Sequence, residues 1–400
     1  PCQLYVHVPF CEVLCPFCSF HRVRYNPSKT GRYFEALRRE IRLYHEQGFR
    51  FSDVYIGGGT PTVNADELIA TLQLVRAVSI ETNPNHLDPD DLRRYRDAGV
   101  TRLSVGVQSF DDGLLAGMDR LEKYGNGEEI RSRLAAVQGL FPTLNVDMIF
   151  NLPGQTLALL ERDLDVLQAL RADQVSFYPL MTAPTARHKM EKSMGLSDPA
   201  LRHPMYERIL QRLLGEYQAS SAWCFSRNQG MFDEYIIDQN DYVGVGSGAF
   251  SYVGGAYYST TFSLNHYCRR IEGGQSGITQ RRPVGVREQM RYDYLVRLFG
   301  GELRRDYIER RYGKAFWLRL APELLAMRTI GATRHDADAI RLTQRGMYCW
   351  VLMMAEFFNS VNSVREQMRE HIRAELETWN EEAKVPLSAI GRTPAREVGR

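Results

Sequence analysis

Short apolar stretches alternate with helical-period segments through the first 180 residues, and this alternation limits the possible folds more than any other feature. Residues 4–8, 54–56, 77–81, 102–107, 145–150 and 174–178 read as strands. Between them, 33–47, 64–75, 89–98, 128–139 and 157–170 repeat apolar residues at the period of a helix with one buried face. Parallel strands need long crossovers, and helices supply them. The pattern therefore predicts an α/β fold, a partial (β/α)6 TIM-like barrel. Another helix is expected over 201–217, and the Gly-rich, aromatic stretch 241–258 is expected to return strands to the sheet edge. From Pro283 onward the segments 287–299, 304–312 and 343–358 read as helices with short loops. The expected organisation is a barrel core over 1–280, a small mostly helical C-terminal domain over 281–375, and a flexible tail over 376–400, where Pro386 and Pro394 interrupt any apolar period.

Composition narrows the function. With 44% hydrophobic residues and Lys+Arg 50 against Asp+Glu 48, the 400 residues suit a globular protein, and a net charge of +2 gives no basic footprint for nucleic acid. The stretch 348–358, interrupted by Glu356, is well short of the roughly 20 residues a membrane-spanning helix needs, so no membrane insertion is expected. The opening Pro1-Cys2-Gln3-Leu4-Tyr5-Val6 reads as the start of a strand rather than a targeting signal, which leads to the expectation of a cytoplasmic protein.

Seven cysteines are placed unevenly: Cys2, Cys11, Cys15 and Cys18 crowd the beginning, whereas Cys224, Cys268 and Cys349 stand alone. Such an odd, clustered set is a poor disulfide framework. Cys11-Glu12-Val13-Leu14-Cys15-Pro16-Phe17-Cys18 spaces three thiols as C-x3-C-x2-C on a loop after the first strand, which can wrap them around one centre. Zinc would need a fourth ligand, with His7 or His21 near enough in sequence, whereas an iron–sulfur cube would keep one iron without a protein ligand. Spacing alone leaves both open, along with buried unliganded thiols.

The next strand ends in Val54-Tyr55-Ile56-Gly57-Gly58-Gly59-Thr60-Pro61-Thr62, where glycines would let a ligand approach the backbone. A sharp strand-to-helix turn would explain the glycines equally well if they stood alone. Joined to the cysteine loop one strand earlier, and to Ile80–Asn83, Ser104–Phe110 and Asn145–Pro153, the pattern resembles the radical S-adenosylmethionine (SAM) superfamily. Within it, the chain resembles the family of oxygen-independent coproporphyrinogen III oxidase and its heme-chaperone relative, over roughly residues 1 to 360.

The resemblance implies that Cys11, Cys15 and Cys18 hold a [4Fe-4S] cluster whose open iron is chelated by SAM. It implies that Gly58, Gly59 and Thr60 contact the methionyl amino group, and that Glu81 lies by the SAM amino group or ribose unless it merely caps the next turn. Gln108 and Asp147 match positions that address the SAM ribose. Arg120 matches an arginine aimed at the SAM carboxylate, with a solvated charged run as its bland alternative. Tyr5 matches a tyrosine packed beside the cofactor and, with Glu81, is a candidate catalytic residue. Independently of the resemblance, polar residues at the C-terminal ends of barrel strands are costly unless they hold something.

In this superfamily the cluster reduces SAM to methionine and a 5′-deoxyadenosyl radical, with electrons from a donor such as flavodoxin or ferredoxin. The leading expectation is coproporphyrinogen-oxidase-like chemistry on a tetrapyrrole. The rivals are C-methylation using a second SAM, and heme binding and delivery without turnover. Three departures from the family bear on this choice. The oxidase has a further cysteine two positions after the third, where this chain reads Cys18-Ser19-Phe20. The oxidase also has a long segment before its first strand. The chaperone's His-Asn-x-x-Tyr-Trp stretch is replaced here by Trp223-Cys224-Phe225-Ser226-Arg227-Asn228 and then 241–249, whose Gly244, Gly246 and Gly248 would admit a second ligand or mark a bulged edge strand. Tyr257, Tyr258 and Tyr267 are candidates to stack on a planar ring, and Arg187, His188, Arg227, Arg281 and Arg282 to pair with substrate carboxylates. Cys224 and Cys268 read as inert thiols.

Overall fold

The computed structural model describes residues 2–228 and 241–382. One sheet holds β1 (Cys2–Val8), β2 (Phe51–Gly58), β3 (Val78–Thr82), β4 (Val100–Gln108), β5 (Thr143–Phe150), β6 (Gln174–Pro179), β7 (Gln218–Ala219), β8 (Cys224–Ser226), β9 (Tyr242–Val245), β10 (Phe250–Val253), β11 (Ala256–Thr260) and β12 (Ile278–Pro283). Its order is β12-β11-β10-β9-β1-β2-β3-β4-β5-β6-β8-β7. The strands β9 and β1 to β6 run parallel, and the flanking strands are antiparallel. Since β12 and β7 end the order unpaired with each other, the barrel is partial. The strands read from the sequence are β1 to β6, and their C-terminal ends share one rim.

The crossovers are α1 (Pro27–Glu46), α2 (Ala65–Leu72), α3 (Pro89–Asp97), α4 (Gly127–Ala136) and α5 (Leu157–Leu170). Their starts follow capping chemistry rather than hydrophobic period. The Asn26 side chain accepts from Ser28 N and Pro27 opens α1, several residues before the apolar stripe begins. On α5 a buried stripe of Leu160, Leu164, Leu167 and Leu170 packs against the sheet. Strand β1 is covered on both faces: Leu4, Val6 and Val8 are fully buried on one, and Gln3, Tyr5 and His7 are buried on the other despite their polar groups.

The stretch 241–258 adds strands at the β1 edge of the β1–β6 sheet, as expected: β9 pairs with β1, Leu4 opposite Val243 and Tyr5 opposite Gly244, and β10 and β11 follow outward. Its glycines accommodate the protein itself: a Cβ on Gly244 would strike the Phe250 carbonyl, one on Gly246 would come within 2.5 Å of His7 O, and one on Gly248 within 2.6 Å of the His21 ring. The three glycines are buried, and the space a side chain would take at each is filled by the protein itself.

The C-terminal boundaries differ from those expected. After α6 (Arg202–Leu213) and α7 (Leu264–Glu272), strand β12 runs past residue 280, pairing Arg282 with Tyr257. The following α8 (Val286–Phe299), α9 (Gln344–Glu370) and α10 (Arg373–Glu382) are joined by a small sheet, β13 (Glu302–Arg304), β14 (Thr333–His335) and β15 (Ala339–Leu342), so this part is not purely helical. The tail does not begin at 376. Trp379 of α10 is buried, stacks on Phe10 at 6.0 Å and donates from Nε1 to Arg24 O at 3.0 Å, while Asn380 Oδ1 accepts from Arg24 N at 2.7 Å. These contacts order the helix through Glu382; residues 383–400 lie outside the described residues.

Candidate active site at the strand C-termini

Directly after β1, Phe10–Cys11 pairs with Val23–Arg24, and the loop between them carries the thiols. This ribbon is pinned to the end of β2, where Gly59 N donates to Val8 O and Thr60 N to Phe10 O, both at 2.7 Å. The glycines are required by these close approaches. A Cβ on Gly59 would come within 2.6 Å of Phe10 O, one on Gly57 within 2.6 Å of the Glu81 carboxyl, and one on Gly58 would overlap the His7 ring. The strand-end glycines thus bring the cysteine loop, β1 and β3 together, a role the sequence pattern had assigned to ligand access.

Cys11, Cys15 and Cys18 border one cavity of about 700 Å3, together with Tyr5, Gly58, Gly59, Thr60, Glu81, Gln108, Arg120 and Asp147. Every residue that the resemblance assigned to the cluster or to SAM therefore borders a common space. Thr60 Oγ1 lies 3.7 Å from Cys11 Sγ and accepts from Asn83 Nδ2 at 2.8 Å. Arg120 is 4% exposed; its guanidinium approaches Cys15 Sγ at 3.5 Å, donates to Asn83 Oδ1 at 3.0 Å and to Gly106 O, and lies 4.2 Å over the Tyr124 ring. This placement removes the solvated-face alternative. Arg22, which the sequence reading missed, is buried beneath the loop and donates to Cys15 O and, at 3.0 Å, to Cys18 O. The Nε atoms of both arginines lack acceptors.

Glu81 accepts from Tyr55 OH at 2.8 Å and from Gly58 N at 3.0 Å, and its remaining surface faces the cavity; burial pushes its carboxyl up. Asp147 accepts from Ser104 Oγ and Asn145 Nδ2, each at 2.7 Å, and burial pushes it up to about 7 despite the nearby Arg102 charge. Gln108 ends β4 with φ +77, a conformation unusual for a residue with a side chain. The turn after it is fixed by Asp163 of α5, which accepts from Phe110 N at 2.7 Å and Ser109 Oγ at 2.9 Å. No local pattern flagged Asp163, an acidic residue on an otherwise apolar helix face.

Tyr5 OH bonds to His7 Nδ1 at 2.9 Å, and His7 Nε2 to His21 O at 2.8 Å. Both His7 nitrogens are engaged, so His7 offers the thiols no fourth ligand for zinc, while His21 places Nε2 3.3 Å from Ser247 Oγ and leaves Nδ1 without a partner. Among the described residues, no three His, Cys, Asp or Glu side chains gather tightly enough for one ion. A cube takes one thiolate per iron and needs no such convergence. Burial pushes the Cys11 thiol up to about 12, so a thiolate there needs compensating positive charge. Three thiols beside two buried guanidiniums fit an iron–sulfur cluster and an anionic group next to it.

Among the remaining candidates, Tyr257, Tyr258, Arg281 and Arg282 border the cavity, as do Trp223, Tyr242, Phe250 and Phe358. Tyr267 does not; its hydroxyl donates to the buried Glu40 at 2.7 Å. Arg227 bonds to Arg171 O and Glu216, away from the site. Burial pushes Cys268 up to about 11, as expected of an unreactive thiol.

Residues 5–167 match the radical SAM superfamily. The heme chaperone HemW of Mycobacterium tuberculosis (strain ATCC 25618 / H37Rv) is 30% identical over 374 residues, covering 86% of this chain and 92% of its own. The chain belongs to the radical SAM family of coproporphyrinogen III oxidases and heme chaperones. HemW of Bacillus subtilis is 27% identical over 86% of this chain and 95% of its own length. The oxygen-independent coproporphyrinogen III oxidase of Pseudomonas aeruginosa is 26% identical over 86% of this chain and 83% of its own. The solved coproporphyrinogen III oxidase (HemN) from Escherichia coli shares the fold, with a TM-score of 0.76, 23% identity and 89% coverage of each chain. Membership of this radical SAM family brings a [4Fe-4S] cluster and SAM as cofactors. Among the described residues no helix is long and apolar enough to cross a membrane.

Proposed function

We propose that this protein cleaves SAM reductively and uses the radical on a tetrapyrrole. One observation carries the reading: the cavity that gathers the three cysteines and the polar strand ends continues without a break into an aromatic wall of Trp223, Tyr242, Phe250, Tyr257, Tyr258 and Phe358. Its volume of about 700 Å3 is large among small-molecule sites, which span about 300–1,000 Å3.

In this reading Cys11, Cys15 and Cys18 hold the cluster, with Arg22 and Arg120 offsetting its negative charge. When bound, the cluster supplies one electron that splits SAM into methionine and a deoxyadenosyl radical, the electron coming from a donor such as flavodoxin or ferredoxin. The chain's own residues bind and orient. Arg120 offers its guanidinium to the SAM carboxylate, and Gly58, Gly59 and Thr60 line the methionyl end. Asp147 and Gln108 address the ribose, with Asp163 fixing the turn that aims Gln108. Glu81, holding Gly58 N and Tyr55, sets the shape of the amino-group pocket, and Tyr5 closes the floor beside it. The buried walls exclude water from a reactive radical.

Heme binding without turnover is the second reading, favoured by Phe20 at the position where the oxidase carries its additional cysteine. Anaerobically reconstituted protein with reductant, SAM and either coproporphyrinogen III or heme separates the two. Deoxyadenosine with a changed tetrapyrrole mass supports turnover, whereas neither SAM product above the no-enzyme control, together with stoichiometric heme binding, supports delivery. S-adenosylhomocysteine with a gained methyl would move the protein to the methyltransferases.

A further inference from the structure

The wall of the cavity away from Arg120 holds a charge that the reading above leaves unused. Arg365, on α9, is only 6% exposed and borders the cavity. Its Nη1 donates to Asn362 Oδ1 at 2.9 Å, and its guanidinium lies 4.9 Å from the Phe20 ring and 5.6 Å from the Phe250 ring. Its Nε meets no acceptor. Among the described residues its partners are thus one amide oxygen and two aromatic faces, none of them anionic. Two acidic groups buried elsewhere are satisfied: Glu40 accepts from Tyr267 OH, Gly246 N and Gly277 N, and Asp293 pairs with Arg311 at 3.0 Å. Arg22 and Arg120, whose Nε atoms also lack acceptors, lie against the cysteine loop instead.

A guanidinium keeps its charge at working pH, and a buried cation without a counter-ion is destabilising. Its planar fork matches a carboxylate with two parallel hydrogen bonds. The position differs from that of the SAM-directed arginine. Arg120 bonds to Asn83, just beyond β3, and to Gly106 of β4, whereas Arg365 lies against Phe250, the first residue of β10; β9, β1 and β2 stand between them in the sheet. Phe20, stacked on Arg365, is also the residue that stands where the oxidase has its further cysteine.

We propose that Arg365 binds a carboxylate on the rim of the tetrapyrrole, with the macrocycle laid against the aromatic wall. This rests on the tetrapyrrole reading and extends it: the ligand must carry free carboxylates rather than esters. Arg281 and Arg282 of β12, exposed at the cavity mouth with Arg281 5.9 Å over Tyr258, stand where another carboxylate of the same ring would emerge.

The test uses the reconstituted holoprotein with SAM, titrated with coproporphyrin III and with its tetramethyl ester and followed by absorbance. Arg365→Met, which keeps the packing stem, should weaken binding of the acid about 10- to 100-fold, the scale of a lost charge-assisted hydrogen bond. Arg365→Lys should retain most of that affinity. Ester affinity, SAM affinity and iron content should match the wild type in both variants. Equal acid affinity in wild type and Arg365→Met, or a parallel loss for acid and ester, overturns the Arg365 assignment and leaves the tetrapyrrole reading standing. A matching fall in SAM affinity would also overturn it, by placing Arg365 at SAM. Wild-type protein that binds neither porphyrin overturns the tetrapyrrole reading and the carboxylate assignment with it.

Discussion

Replacing Asp147 by asparagine should stabilise the protein more at pH 8 than at pH 5, although it removes a residue assigned to SAM binding. The carboxyl is held up at about 7 by burial, against an ordinary value of 3.8. Below the ordinary value it is neutral in both folded and unfolded chains. Between 3.8 and about 7 the unfolded chain ionises while the folded site holds its proton, so stability declines as pH rises; above about 7 the loss is complete. At 1.36 kcal/mol per pH unit the full loss is about 4 kcal/mol, of which about 2–3 kcal/mol falls between pH 5 and pH 8. An asparagine has no such decline. It disturbs the Ser104 and Asn145 hydrogen bonds by about 1 kcal/mol at either pH, and this offset cancels when the two conditions are compared. For a chain of this size the widening amounts to about 3 °C in Tm. Melting wild type and Asp147→Asn side by side at both pH values, without SAM, measures it. A gap of constant size would refute the claim that Asp147 is a buried carboxyl of raised pKa.

Other consequences are simpler to read. Cys15→Ala should fold yet lose the brown iron–sulfur absorbance and SAM cleavage after reconstitution; a full iron complement would remove Cys15 from the ligand set. Gly59→Ala forces a Cβ to within 2.6 Å of the Phe10 backbone, so it should displace the cysteine loop and lower both Tm and iron uptake, and normal uptake would show that the loop tolerates the shift. Trp379→Ala empties a buried ring site beside Phe10 and breaks the bond to Arg24 O, and should cost about 3–5 kcal/mol by denaturant unfolding. A loss below about 1 kcal/mol would mean that α10 is not part of the cooperative core.

Local patterns made β1 to β6 and their helices legible, because the period of buried residues is a property of each segment alone. They also made the thiol loop legible, since C-x3-C-x2-C is contiguous, and the strand-end Glu81, Gln108 and Asp147, since a polar residue on an apolar run stands out. Asp163, Arg22 and Arg365 carried no such mark. Arg365 sits in Asn359-Ser360-Val361-Asn362-Ser363-Val364-Arg365, whose polarity reads as a helix that has already ended, yet α9 continues to Glu370 with Asn362 and Arg365 on its buried side.

By itself the sequence determined the six barrel strands and their crossover helices, the thiol spacing and the polar residues that end the barrel strands, because these depend on covalent order and side-chain period. Only the tertiary structure decided that β9 inserts beside β1, that α10 returns across some 350 residues to Phe10 and Arg24, and that Arg120 and Arg365 face one cavity from different sides. Such pairings depend on which distant surfaces fill each other's space and satisfy each other's polar groups, and that information resides in the packed whole rather than in any one stretch of chain.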